Sequence, residues 1–296
     1  MIEFRKPELK DMKWVKSTMT RSGEMACDYC FGNLFIWSEY YGNTIAEYDG
    51  LFISKDRSRD ADIYLYPCGD GDKKGAVNEL IKLHEQDGKE LVMYCLTPDK
   101  VRELDSMFKD RFEFREHRDY FDYIYLTSDL ASLAGRKYHA KRNHISYFKN
   151  NFNWQYEKIT PDNLAECYEM NKKWEKLNSK YDEEGLGAEL TAIDRAFSHY
   201  EELGFVGGLL RKDGEVIAYT FGEQINNDVF CTHFEKAFAD IRGAYPMINQ
   251  QFCINELMGY KYINREDDTG DEGLRQAKMS YCPAILLPKF IARYKG

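Results

Sequence analysis

The sequence predicts an α+β protein made of two tandem copies of one unit, each a mixed, mostly antiparallel sheet flanked by helices. Apolar residues switch between strand alternation and helical spacing in the order β-α-α-β-β-β-α-β-α-β, and that order occurs twice along the chain. The 296 residues, 43% hydrophobic and 31% charged, hold enough apolar material for two ordinary domains. The boundary is expected near Leu133 to Gly135, giving domains at 1–134 and 135–296, with the active cleft in the second.

In the first half MIEFRKP reads as a strand, and ELKDMKWVKSTMT and the stretch around GNLFIWSEYY read as helices. TIAEYDG, LFISK and ADIYLYP form a meander. KKGAVNELIKLHEQDG is a helix, ELVMYCL a strand and DKVRELDSMF a helix. RFEFREHRDYFDYIYL is expected to close the unit as a hairpin.

The second half opens with a helix over Tyr138 to Phe152 and the strand NWQYEKI. Thr160 and Pro161 then start a helix, the hydroxyl as cap and the proline with its preset φ. A second helix carries Leu190, Ile193, Phe197 and Tyr200 at helical spacing up to Gly204. FVGGLLRK, EVIAYTFGEQ and DVFCTHFEKAF, joined by turns at Asp213-Gly214 and Asn226-Asn227, form a meander. GAYPMINQQFCINELMG returns to helical spacing, YKYINRE is a short strand, DEGLRQAKMSY a short helix, and AILLPKFIARY a final extended segment.

No apolar run is long enough to span a bilayer, and MIEFRKPELK lacks the apolar centre of a signal peptide, so a cytoplasmic location is expected. The eight cysteines sit mostly in apolar runs and read as reduced core thiols. Cys27 and Cys30 form the one close pair, with no second pair at ligand spacing, so no metal is expected. The net charge of -9 argues against wholesale nucleic-acid binding. Yet no Asp or Glu occurs from Leu130 to Tyr156, where Arg136, Lys137, Lys141, Arg142 and Lys149 fall, making one local positive patch.

Two stretches invite chemistry. On the helix over 138–152, Tyr138, Ile145, Phe148 and Phe152 share a face with Lys141 in its middle and Arg142 at its edge. Those cations either cover apolar surface or hold a phosphate or carboxylate in a cleft. His139 and His144 lie on different faces and cannot share a metal, and the register of His233 is open. The second stretch, YINREDDTGDEGLRQAKMSY, is acidic but lacks the Asp or Asn that a calcium loop puts before its glycine. Thr269 and Glu272 instead fit a capping box, with Leu274, Ala277 and Tyr281 facing the core and Arg275 and Lys278 sharing another face.

The order of elements is similar to the GNAT acyltransferase fold, and two copies resemble the Fem-type peptidyltransferases. LAGRKYHAKRNHISYFKNNF, EKAFADIRGAYPMINQQF and YINREDDTGDEGLRQAKMSYCP resemble the C-terminal-domain family of phosphatidylglycerol lysyltransferase. The resemblance implies transfer of an acyl or aminoacyl group to an amine or hydroxyl, with aminoacyl-tRNA as donor, met through segment 135–152, and a small-molecule, peptide or lipid-headgroup acceptor. No separate cofactor is implied. On that reading Glu235, Glu266 and Asp267 are the candidate bases. The candidate anion- or substrate-binding groups are Lys141, Arg142, Asn143, Asn264, Arg265, Arg275, Lys278 and Tyr281.

The sequence departs from the GNAT pyrophosphate loop, since Asp240 stands in the basic position and Tyr245 in that of the second small residue. Acyl-CoA as donor is therefore disfavoured in the second half. GDGDKKGAV, at 69–77, offers a loose phosphate-loop match that reads more readily as a solvated turn. The rival readings are a non-catalytic protein that holds an anionic small molecule on the duplicated fold, and an acyl-CoA-dependent N-acetyltransferase.

Overall fold

The computed structural model describes residues 2–56, 61–178 and 183–296. Helices α1 (Met12–Arg21) and α2 (Phe31–Tyr41) precede a meander of β1 (Thr44–Tyr48), β2 (Leu51–Asp56) and β3 (Ala61–Leu65), and the two-residue β4 (Cys68–Gly69) returns to β2. Then come α3 (Lys73–Asp87), β5 (Glu90–Leu96), α4 (Pro98–Met107), β6 (Phe112–Glu116), β7 (Asp122–Leu126) and α5 (Thr127–Ser132). The second half runs α6 (His139–Asn151), β8 (Trp154–Lys158), α7 (Pro161–Asn178), α8 (Glu183–Ser198), β9 (Val206–Lys212), β10 (Glu215–Gln224) and β11 (Val229–Ala237). It ends with α9 (Ala244–Glu256), β12 (Tyr262–Asn264), α10 (Glu272–Met279), β13 (Ile285–Leu287) and β14 (Phe290–Tyr294).

Local chemistry sets most boundaries. Pro98 opens α4, and Gly88, at φ 67°, closes α3 in the left-handed conformation that glycine adopts without a Cβ clash. Asp72 caps α3 by accepting from Gly75 N at 2.9 Å, and Lys73 pairs with Glu103 at 3.0 Å. The glycine-rich stretch at 69–77 is thus a capped helix start. The expected opening strand MIEFRKP is reduced to a single bridge between Arg5 and Ile45.

Among the described residues each of the two sheets has seven strands. The first runs β1-β2-β3-β5-β14-β6 with β4 on β2, and the second runs β13-β7-β12-β11-β10-β9-β8. The β3–β5 and β11–β12 pairs are parallel, and the other named pairs are antiparallel. The sheets do not follow the order of the chain. β14, from the end of the sequence, inserts between β5 and β6, and β7, from the first half, inserts between β12 and β13.

The closing hairpin expected over RFEFREHRDYFDYIYL therefore does not form. β6 pairs with β14 and β7 with β12 and β13, because the linker coils into a 3-10 turn at Arg118–Tyr120 and carries the chain to the other sheet. AILLPKFIARY likewise splits at Pro288-Lys289 into strands of different sheets, proline being unable to donate to a continuous ladder.

Among the described residues four apolar clusters form, three of them large. One lies under α3 and α4 and includes Tyr64, Leu80, Met93 and, from the exchanged strand, Ala292. A second packs Phe148, Met247 and Phe252 against Phe230 and the exchanged Tyr123 and Tyr125. The third joins Val15, Phe35 and Phe52 of the first half to Ile193, Phe197, Phe221 and Phe234 of the second. Among the described residues, no helix is long and apolar enough to cross a membrane.

Candidate functional site

β11 and β12 run side by side for three residue pairs, Val229 with Tyr262, Phe230 with Ile263 and Cys231 with Asn264. β12 then stops, while β11 continues on β10 to Ala237 and the chain from Arg265 follows β7, with Arg265 N bonded to Tyr123 O at 3.0 Å. The second sheet consequently opens as a wedge. Arg265 bridges it, its Nη2 donating to Glu235 Oε1 at 2.8 Å, while Asn249 of α9 donates to the other Glu235 oxygen at 3.0 Å.

Arg265 packs over Tyr281 at 4.9 Å and Tyr125 at 5.7 Å, and Lys141 Nζ sits 3.9 Å from the same Tyr281 ring. Arg265 Nη1 is shut from solvent with no partner, leaving one strong donor in the wedge unused. Burial and the neighbouring Arg265 charge lower the Lys141 pKa, and burial raises that of Tyr281. Four predicted residues, Glu235, Arg265, Tyr281 and Lys141, thus converge.

A cavity of about 330 Å³ adjoins this group at the start of α9, lined by Lys141, His144, Arg242, Gly243, Tyr245 and Pro246. Gly243 is required there. Its φ is 92°, and a Cβ would lie 2.4 Å from His144 O, so glycine alone lets α9 begin against α6.

Beyond the wedge, Glu266 and His233 form a second polar group. The β10–β11 register slips between Phe221, opposite Phe234, and Gly222, opposite Thr232, which leaves His233 as the extra residue of a bulge. The bulge aims the ring at two carboxylates: Nδ1 meets Glu266 at 2.8 Å and Nε2 meets Glu223 at 3.2 Å, with Lys16 on Glu223 at 2.8 Å. Burial alone would lower the imidazole pKa, but the two carboxylates push it up to about 10. Glu266 holds a left-handed φ of 58°, where its N–H reaches Asn264 Oδ1 at 2.7 Å. Strain at such a position costs on the order of 1 kcal/mol and recurs at functional sites.

Asp267, half-buried and in no salt bridge among the described residues, is pushed up to about 7, chiefly by burial, with Asp122, Glu266 and Asp28 adding repulsion against the opposing pull of Lys289. Asp56, from β2, is pushed up to about 7 in the same way, also with Asp28 adding to burial. Burial raises the pKa of Tyr41 and Tyr120, and the charge of Asp267 adds to it for both, that of Asp56 for Tyr41.

The remaining predicted residues are occupied by the protein itself. Arg142 Nη1 donates to the carbonyls of Leu133 and Gly135, at 2.5 and 2.6 Å, and fixes the junction. Asn143 is exposed and bonds His139 at 3.2 Å. Asn264 is buried and donates to Met25 O and to Asp122. Arg275 embraces Asp268 and reaches Asp119, each at 2.8 Å, while Lys278 Nζ caps the carbonyls of Arg265 and Asp267.

Helix α10 is thereby turned over relative to the sequence expectation. Leu274 and Ala277 are exposed and Arg275 and Lys278 point inward, because buried Asp268 also takes bonds from Arg118 and Tyr123 and draws Arg275 in. The expected capping box fails with it. Asp271, not Thr269, is the N-cap, accepting from Leu274 N at 2.5 Å.

Sequence reasoning missed Glu223, Asp28, Asp56, Asp122, Arg242 and Lys289. Lys289 and Asp122 carried a signal, each being a lone charge inside an apolar run, in LLPKFIA and YFDYIYL.

Residues 20–293 match the family described as phosphatidylglycerol lysyltransferase, C-terminal. The chain belongs to that family. A Bacteroides thetaiotaomicron protein of unknown function is 39% identical, with 100% of both chains covered and a TM-score of 0.95. A structure of the C-terminal domain of an Agrobacterium fabrum protein assigned as a lysylphosphatidylglycerol synthetase is 14% identical, covering 97% of this chain and 92% of its own, with a TM-score of 0.72. A tandem GNAT protein from the clavulanic acid biosynthesis pathway is 9% identical, covering 99% and 98%, with a TM-score of 0.51.

At these low identities the last two speak for the fold, a tandem GNAT arrangement within the phosphatidylglycerol lysyltransferase C-terminal family. A Mycoplasmoides gallisepticum protein is 23% identical over 192 residues, and the match spans 57% of that relative's length.

Proposed function

We propose that this member of the family transfers an acyl or aminoacyl group from an activated ester to an amine or hydroxyl, in the wedge between β11 and β12. The observation that carries the reading is the unpartnered Arg265 Nη1 in that wedge, beside a cation-lined cavity at the start of α9. An ester carbonyl placed there would develop negative charge on its oxygen as the nucleophile attacks, and a fixed buried guanidinium N–H stabilises that charge. The attacking amine must lose a proton. Asp267, its pKa pushed up to about 7 chiefly by burial and in no salt bridge among the described residues, is the carboxylate left to take it, since Glu235 is held by Arg265 and Glu266 by His233.

Lys141 and Arg242 at the cavity favour a donor rich in phosphate, and segment 135–152 extends the positive surface, which suits aminoacyl-tRNA. Asp240 and Tyr245 flank the place where a coenzyme A pyrophosphate would lie, and they weigh against that donor.

The test incubates the chain with tRNA charged with labelled amino acids, or with labelled acyl-CoA, and follows label into amine, peptide and phospholipid acceptors. Transfer from charged tRNA that falls roughly 100-fold or more in Arg265→Gln supports the reading. Transfer from acyl-CoA alone, or full activity in Arg265→Gln, rejects it.

A further inference from the structure

The bulge that turns His233 inward also brings it to two cysteines from distant parts of the chain. Cys30, at the start of α2, and Cys231, on β11, place their sulfur atoms and a His233 ring nitrogen within 4.8 Å of one another. Both thiols are essentially solvent-free, Cys30 at 1% and Cys231 at 0% exposure, and the His233 side chain is 1% exposed. Glu266 Oε1 lies outside that trio but next to it, 2.8 Å from His233 Nδ1 and 3.8 Å from Cys231 Sγ.

We propose that Cys30, Cys231, His233 and Glu266 form a binding site for a thiolate-preferring divalent cation, zinc being the natural occupant. Zinc takes four ligands of this kind at about 2.0–2.3 Å, which sets ligand atoms about 3–4 Å apart; the two sulfurs and the ring nitrogen already lie within 4.8 Å of one another, and a small shift of Glu266 would bring in the fourth. The surroundings have the outer shell such a site needs. His233 Nε2 faces Glu223 Oε1 at 3.2 Å and Glu223 is held by Lys16 at 2.8 Å, the carboxylate–histidine arrangement that orients a metal-bound imidazole through Nδ1. Asn33 Nδ2 bonds Glu266 Oε1 at 3.4 Å and steadies the fourth ligand.

Coordination releases the two thiol protons and the proton on His233 Nδ1, and the divalent charge replaces the imidazolium as the counter-ion of Glu266. The neighbouring group of Cys27, Asp28 and Asp122 has similar ligand types but is already filled by the Lys289 ammonium, 2.5 Å from Asp28 and 2.7 Å from Asp122. Soft-metal binding is therefore assigned to the one group and not the other. The ion would tie α2 of the first half to β11 and the β12 exit of the second, a few residues from Asp267.

Tag-free protein is purified without added metal and its metal content measured by plasma mass spectrometry, then the metal-stripped chain is titrated with Co²⁺ and read for thiolate-to-cobalt charge transfer. About one zinc per chain, or a saturable cobalt charge-transfer band at about one equivalent, is expected. Cys30→Ser and Cys231→Ser should lose both signals, while Cys27→Ser and Cys95→Ser keep them. Because a ligand variant can fail to fold, Glu223→Gln supplies the second arm: the band should persist while Co²⁺ affinity drops roughly 10- to 100-fold. No zinc and no band in the unaltered chain overturns the assignment. A band that survives Cys231→Ser, or vanishes in Cys27→Ser, overturns it as well. None of these readouts depends on transferase activity.

Discussion

Lys289 and Asp122 meet at 2.7 Å where the two halves exchange strands, Asp122 at the first residue of β7 and Lys289 just before β14. The crossing segments are also joined through the backbone, His117 N to Lys289 O at 3.0 Å. Both side chains are buried, and Asp28 and Cys27 share the ammonium, whose pKa the surrounding acids drive upward against burial. Removing the cation strands two carboxylates in the interior. We expect Lys289→Met to cost roughly 3–5 kcal/mol in urea unfolding, with part regained when Asp122→Asn is added. A loss under about 1 kcal/mol would show that the crossing does not depend on this pair.

Asp267 gives a pH signature. Its folded pKa is pushed up to about 7 from an ordinary 3.8, so the folded state holds a proton that the unfolded chain releases sooner. The contribution of this group should then fall as pH rises from about 4 to about 7 and stay constant above. Asp56 titrates over the same window, so thermal unfolding of Asp267→Asn should show a reduced slope, and the slope should disappear only when Asp56→Asn is added. Transfer activity should rise with pH through about 7 and drop roughly 100- to 10,000-fold in Asp267→Asn. An unchanged pH–rate profile in that variant would remove Asp267 as the base.

His233 has the opposite chemistry and a later window. Its folded pKa is pushed up to about 10 from 6.5, so the stabilisation is fully present below about 6.5 and is lost as pH rises through about 10. Metal-stripped protein should lose stability between pH 7 and 10, and His233→Gln should flatten that loss. Equal slopes for the two chains would mean that the ring is neutral between its carboxylates.

The alternation and turn chemistry of the meanders were legible because both are local, as was the helix start at Pro161. The reciprocal placement of β7 and β14 was not, since strand pairing across halves depends on contacts far apart in sequence and the hairpin spacing of RFEFREHRDYFDYIYL suits a local partner equally well. The wedge was half legible: Lys141, Arg265 and Tyr281 fall in two stretches singled out by their charge, and Glu235 came from the resemblance alone. Arg275 and Lys278 misled because a cation reads alike whether it faces a ligand or a buried aspartate, and only the three-dimensional position of Asp268 decides. His233 was illegible because a bulge adds one residue to a strand and inverts the alternation on which orientation is judged.

That bulge can be tested directly at Gly222. A Cβ there would lie 1.8 Å from Cys231 O and within 2.9 Å of Thr232 Cα, all backbone atoms of the paired strand, so no side-chain rotation relieves the clash. Gly222→Ala must push β10 and β11 apart or shift their register, and either change withdraws His233 from Glu223 and Glu266. The expected outcome is a strongly destabilised chain that also lacks the stability loss between pH 7 and 10. Gly259→Ala is the matched control: nothing lies within 4 Å of its added Cβ and its backbone is not in the left-handed region, so unfolding should be almost unchanged. A Gly222→Ala chain as stable as the control, with the His233 titration intact, would show that the bulge is not what positions the ring.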